Sequence, residues 1–142
     1  MPDRREFIRQ SCAACAGAIA FAILAELESC KTTESTAISV SKNQVTVPLK
    51  QMEGKNTLLI KSASLDYDIA LVKKPDGNYL ALQMICPHRH NPVEVTETGF
   101  YCPSHGSEFD TEGTVLKGPA ATPLKKFPLV VEKKLILISL SA

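Results

Sequence analysis

The chain has 142 residues, 44 % hydrophobic and 22 % charged, which is the composition of one globular domain with no room for a second catalytic one. Its 16 Lys+Arg balance 15 Asp+Glu to a formal charge of +1, so it lacks the basic excess that nucleic-acid phosphates demand, and no nucleic-acid partner is expected. What composition leaves to be explained is five cysteines in two groups: Cys12, Cys15 and Cys30 near the start, Cys86 and Cys102 further on.

At the start of the chain, Arg4, Arg5 and Arg9 precede an uncharged, Ala-, Ile-, Leu- and Phe-containing stretch that Glu26 and Glu28 close. That is the plan of an export signal. Its apolar part, residues 12–25, is 14 residues long, short of the about 20 that cross a bilayer. It also has no polar face, which argues against an amphipathic helix of the domain itself. Arg4-Arg5-Glu6-Phe7-Ile8-Arg9 resembles the twin-arginine export signal, departing from it at Asp3, where that family prefers Ser or Thr. The resemblance implies export of a folded domain with its cofactor already inserted. Leu27-Glu28-Ser29-Cys30 resembles a lipobox with an awkward Glu28, which would make Cys30 a lipidated N-terminus and residues 31–43 a flexible tether. The expected organisation is a leader over 1–29, a tether over 30–43 and a domain over 44–142. The expected location is the periplasmic side of the cytoplasmic membrane, with a plain soluble periplasmic protein or a retained leader as the alternatives.

From about Val45 the pattern becomes short β runs separated by turn residues, with no helical period sustained over three turns. Residues 45–49 and 58–60 read as strands. Residues 69–72 and 79–85 flank Pro75-Asp76-Gly77-Asn78 and predict a hairpin. Three more are predicted: 93–96 with 100–101, Phe109 with 114–116, and 127–131 with 135–140. The expected fold is all-β, an antiparallel sandwich or small barrel. Lys73-Lys74, Lys125-Lys126 and Lys133-Lys134 fall at or near turns, where they read as solvated, edge-blunting charge. The competing reading is a docking patch for an acidic electron-transfer partner.

Cys86-Pro87-His88 and Cys102-Pro103-Ser104-His105 each place one thiolate and one imidazole in a loop just beyond a strand. Two such loops make a four-ligand site, stiffened or bent by Pro87, Pro92, Pro103 and Gly106. Two Cys and two His also satisfy tetrahedral zinc, so a structural zinc module without a redox role is the alternative. Zinc fingers, however, usually take both Cys from one loop and both His from another. A loop that mixes the two suits a binuclear cluster in which one iron takes both sulfurs and the other both imidazoles.

Cys86-x-His88, a thirteen-residue gap, Cys102-x-x-His105-Gly106-Ser107, then Phe109, Gly113 and Gly118-Pro119-Ala120 together resemble the Rieske 2Fe-2S family. The detailed similarity runs over residues 85–124, and a looser strand pattern covers 45–140. The resemblance implies a 2Fe-2S cluster, with Cys86 and Cys102 on a buried iron and His88 and His105 on an outer one. It implies that Ser107 donates a hydrogen bond to a bridging sulfide and that Gly118-Pro119-Ala120 covers the far side of the cluster. It also implies a redox partner protein, a cytochrome or an oxidoreductase subunit, for a one-electron carrier or electron-transfer subunit.

The sequence departs from the quinol-oxidising relatives at several places. Asn91 and Ser104 stand where a disulfide ties their two loops, and Phe109 replaces a tyrosine that adds a second donor. Fewer donors stabilise the reduced cluster less, so the midpoint is expected in the lower or middle part of a family range of roughly −150 to +300 mV. His90 stands where relatives commonly carry a small residue or glycine; it reads as a solvent-facing loop residue, or else as a modulator of the site. An oxygenase needs two His and a carboxylate on a mononuclear iron, and only His90 is left over in these residues.

Overall fold

A computed structural model describes residues 37–141. The expected leader, Cys30 and residues 31–36 of the tether lie outside the described residues. The strands are β1 (Ser39–Val40), β2 (Gln44–Pro48), β3 (Thr57–Ile60), β4 (Ile69–Lys73), β5 (Tyr79–Gln83), β6 (Glu94–Val95), β7 (Phe100–Cys102), β8 (Ser107–Phe109), β9 (Val115–Lys117), β10 (Lys126–Phe127), β11 (Leu129–Glu132) and β12 (Leu135–Ser139). They form three antiparallel four-stranded sheets, β1-β2-β12-β11, β10-β5-β4-β3 and β6-β7-β8-β9. The all-β expectation holds.

The middle sheet explains the layering. Along β4, alternate side chains point to opposite faces: Ile69 and Leu71 enter one core, Ala70 and Val72 the other. In β5, Ala81 joins the first and Leu82 the second. A strand buried on both faces has no polar side to show, which is why 69–72 reads as an unbroken apolar run. The first core is completed by Val45 and Val47 of β2 and Ile136 and Ile138 of β12, all fully buried. The second joins the middle sheet to β6–β9 through Met84, Val93, Phe100, Phe109 and Leu124, and it contains Cys86 and Cys102.

The four predicted hairpins form, as the pairs β4–β5, β6–β7, β8–β9 and β11–β12. Differences lie at their ends. The predicted strand 127–131 is broken at Pro128, which has no N–H to give to a ladder. Phe127 pairs with Ala81 in the middle sheet, whereas Leu129 pairs with Ile138 in the first. The chain thus changes sheets at the proline. Ser107 and Glu108 join Phe109 in β8, which pairs with β7. Leu49–Met52 forms a 3-10 turn where the sequence pattern offers no signal. The stretch read as a tether contains β1, whose Ser39 and Val40 pair with Thr46 and Val45 of β2.

One lysine of these pairs is engaged within the chain. The Lys74 ammonium lies 3.5 Å from Asp76 and 3.4 Å from Glu112, joining the β4–β5 turn to the β8–β9 turn. Both carboxylates, Asp76 first, hold the Lys74 pKa above its ordinary value. The Lys125 ammonium sits 5.5 Å from the centroid of the Phe127 ring, a cation–π arrangement. The charge of Lys74 is therefore spent within the chain.

Candidate metal centre

The site is made by two loops leaving the second core. In the first, an isolated bridge pairs Ile85 with Pro92, and the Cys86 N–H donates to the Asn91 carbonyl at 2.8 Å. The His90 N–H closes the turn on the Cys86 carbonyl at 2.8 Å. In the second, Cys102 ends β7 and faces Ser107, the first residue of β8. The Gly106 N–H donates to the Cys102 carbonyl at 2.9 Å. Both loops are thus closed by a bond from the fourth residue after the cysteine back to the cysteine's own carbonyl. Both closing residues take a left-handed backbone, with φ of 55° at His90 and 78° at Gly106.

This folding sorts the ligand types by depth. Cys86 and Cys102 are 1 % and 0 % exposed and carry free thiols within the second core, whereas His88 is half-buried and His105 is exposed. The His88 and His105 rings meet edge to face, with centroids 4.9 Å apart and planes at 86°. The four sequence-predicted ligands are thereby split between a buried sulfur pair and an outer imidazole pair. No disulfide ties the loops: Asn91 contributes only its carbonyl to the loop bonds above, and Ser104 is exposed.

Two observations test whether a metal group fits here. His88 Nδ1 is buried and has no hydrogen-bond partner. A buried ring nitrogen left unpaired costs about 1–3 kcal/mol, and metal coordination is what would satisfy it. Among the described residues, no three His, Cys, Asp or Glu side chains gather where one metal ion would sit. By type and depth, two buried thiols and two outer imidazoles are the donor set that a two-iron cluster takes as one sulfur pair and one nitrogen pair.

Among the described residues, Ser107 is the one buried polar residue outside these ligands, at 0 % exposure. Its Oγ accepts a 3.0 Å hydrogen bond from the Ala120 N–H. A hydroxyl has one hydrogen to give and two lone pairs, so this contact leaves its hydrogen free to donate. Ala120 is itself buried in the second core, and Phe109 is buried beside it. The resemblance implies that the Gly-Pro-Ala run covers the site, but a backbone donor within it leaves no mark in side-chain chemistry. The carbonyls of Cys86, Asn91 and Cys102 are equally silent. His90 is exposed, as its solvent-facing reading expects.

The profile of the Rieske 2Fe-2S domain matches residues 34–128. The chain belongs to the Rieske family. This Rieske domain binds a 2Fe-2S cluster. It is 37 % identical over 84 residues to the oxygenase component of dicamba O-demethylase from Stenotrophomonas maltophilia, covering 52 % of this chain and 25 % of that one. It is 31 % identical over 104 residues to the Rieske subunit of the mitochondrial cytochrome b-c1 complex of Neurospora crassa, covering 68 % of this chain and 42 % of that one. The crystal structure of the cyanobacterial plasma membrane Rieske protein PetC3 from Synechocystis PCC 6803 matches with a TM-score of 0.55 and 26 % identity, over 70 % of this chain and 98 % of that one. The chain spans well under half the length of these two curated relatives. Among the described residues, no helix is long and apolar enough to cross a membrane.

Proposed function

We propose that the thiolates of Cys86 and Cys102 hold the inner iron, that His88 and His105 hold the outer iron through ring nitrogens, and that the chain works as an exported one-electron carrier or as the electron-transfer subunit of an oxidoreductase. The observation that carries the ligand assignment is the buried, unpartnered Nδ1 of His88 beside the ring of His105, with the two thiols beneath. The cluster supplies reversible uptake of one electron. The protein does the rest. It keeps water from the sulfur ligands by burying both cysteines among Phe100, Phe109 and Leu124. It fixes loop shape with the closing bonds to the cysteine carbonyls. It brings the outer imidazoles to the surface, where an electron can leave toward a partner.

The relatives support a membrane-side carrier, one being named as a plasma membrane Rieske protein and another as a subunit of the cytochrome b-c1 complex. The twin-arginine-like leader and the lipobox-like Cys30 support export with a lipid anchor. The partner is then a cytochrome or an oxidoreductase subunit. Mass spectrometry of protein extracted from the native membrane tests the anchor: a lipidated Cys30 at the N-terminus is expected, and an unmodified Cys30 or an intact leader rejects it. Replacing His88 or His105 with Ala tests the ligands. Each variant is expected to lose the reduced-state Rieske EPR signal, and a variant that keeps it removes that histidine from the set.

A further inference from the structure

Ser107 can tune the cluster only if its single hydrogen points at the cluster, and nothing about a serine side chain fixes that. The hydroxyl rotates about its C–O bond, and its oxygen can accept from any nearby donor. In this chain one donor is already in place: the Ala120 N–H lies 3.0 Å from Ser107 Oγ, in a contact that is fully buried. With a lone pair held by that amide, the hydroxyl hydrogen is turned away from Ala120. Linked donors also polarise one another, so an N–H held on the oxygen makes the O–H a better donor. Ala120 follows the exposed Gly118-Pro119 and is itself buried in the second core with Cys86 and Cys102. The Gly118-Pro119-Ala120 segment therefore reaches Ser107 with a backbone amide.

Resting on the ligand reading above, we infer that the Ala120 amide is a positioning group: it orients and strengthens the Ser107 hydroxyl as a donor to the cluster and so raises the midpoint potential through Ser107. Ala120 needs no contact with the cluster itself. Its effect must vanish when the Ser107 hydroxyl is gone, which a purely structural role of the loop does not require.

The test is a double-mutant cycle read by protein-film voltammetry on the cluster-loaded chain. One change replaces Ala120 by lactic acid, which exchanges the N–H for an ester oxygen and leaves the side chain as it was. Ala120→Pro removes the same N–H by ordinary mutagenesis, and Ala120→Gly is the control that keeps it. With Ser107 present, the ester and Pro variants are expected to lower the reduced-to-oxidised ratio about threefold at fixed potential, which at 59 mV per tenfold for one electron is a fall of about 28 mV. Ala120→Gly is expected to leave the midpoint in place. In the Ser107→Ala background the ester and Pro variants are expected to cause no further fall. An equal fall in both backgrounds, or none with Ser107 present, overturns the inference. If Ala120→Pro does not fold, the ester variant decides alone. Failure of the ligand reading is distinguishable, since an unsubstituted chain would then give no Rieske EPR signal.

Discussion

His90 and Gly106 hold the same station in the two loops. Each donates its backbone N–H to the carbonyl of the cysteine four residues earlier, and each does so with a positive φ. Glycine reaches that backbone without a steric penalty, whereas an L-residue with a Cβ is disfavoured there by about 1–2 kcal/mol. Histidine is among the side chains that tolerate it better than most. The two loops therefore solve one closure problem with unequal residues.

Their substitutions should respond unequally. His90→Gly is expected to stay within about 1 kcal/mol of the parent, since relief of the Cβ is offset by the freedom glycine gains in the unfolded chain. Gly106→Ala and His90→Val are expected to lose about 1–2 kcal/mol each. Nothing crowds a Cβ at Gly106, so its loss would come from backbone conformation alone. Thermal melting of the cluster-loaded variants is the measurement, and a Gly106→Ala variant as stable as the parent would contradict the closure argument.

Hydrogen-bond donors near the cluster should set the midpoint. A bond to a charged group contributes about 1.5–3 kcal/mol, and a redox-state difference of about 1 kcal/mol corresponds to about 40 mV for one electron. Ser107→Ala is expected to lower the midpoint by several tens of millivolts. It should also destabilise the fold by about 1–3 kcal/mol, because the buried Ala120 N–H loses its acceptor. Phe109→Tyr is expected to raise the midpoint by a similar amount. Protein-film voltammetry checks both, and a parent midpoint near the top of the family range, roughly +300 mV, would count against the donor argument.

Gly99 should tolerate no side chain. A Cβ there would overlap the Phe109 carbonyl oxygen and press on the Asp110 backbone. Neither is the movable end of a side chain, so β8 would have to shift, and β8 carries Ser107 and Phe109. Gly99→Ala is expected to yield little folded protein and to lose cluster in proportion, as absorbance and circular dichroism together would report. A fully loaded, stable variant would show that β8 moves more freely than its packing implies.

The Lys74 clamp should act over a defined pH range. Hydrogen bonds from the backbone and side chain of Asn78 hold the Asp76 carboxyl below its ordinary value. Its contribution is thus present above the ordinary carboxylate range and is lost as pH falls through the lowered folded value. Lys74 is raised, so its contribution is present below the ordinary lysine range and is lost as pH rises through the raised value. Lys74→Met is expected to lower the melting temperature at neutral pH, with the gap narrowing at acid pH, at strongly alkaline pH and in 1 M salt, where the Debye length is about 3 Å. A gap that is constant across pH and salt would assign the effect to packing.

The site is more legible in the sequence than its surroundings because its chemistry resides in side chains. Cys86, His88, Cys102 and His105 declare themselves by type and spacing, and the strands that carry them alternate or run apolar as their burial requires. The sheet change at Pro128 is harder to read. The apolar run on either side of the proline is continuous, and only tertiary pairing sends Phe127 to one sheet and Leu129 to another. The 3-10 turn at Leu49–Met52 rests on backbone bonds that side-chain pattern does not encode. The same holds for the Ala120 amide. Lys74 reads as solvated charge because its partners, Asp76 and Glu112, lie in two different turns and only one of them is near in sequence.

The most direct measurement is metal and acid-labile sulfide analysis of the purified chain, with EPR of the reduced protein. Two irons and two sulfides per chain, a brown protein and a Rieske-type signal are predicted. A colourless protein holding one zinc and no sulfide would contradict the account at its root.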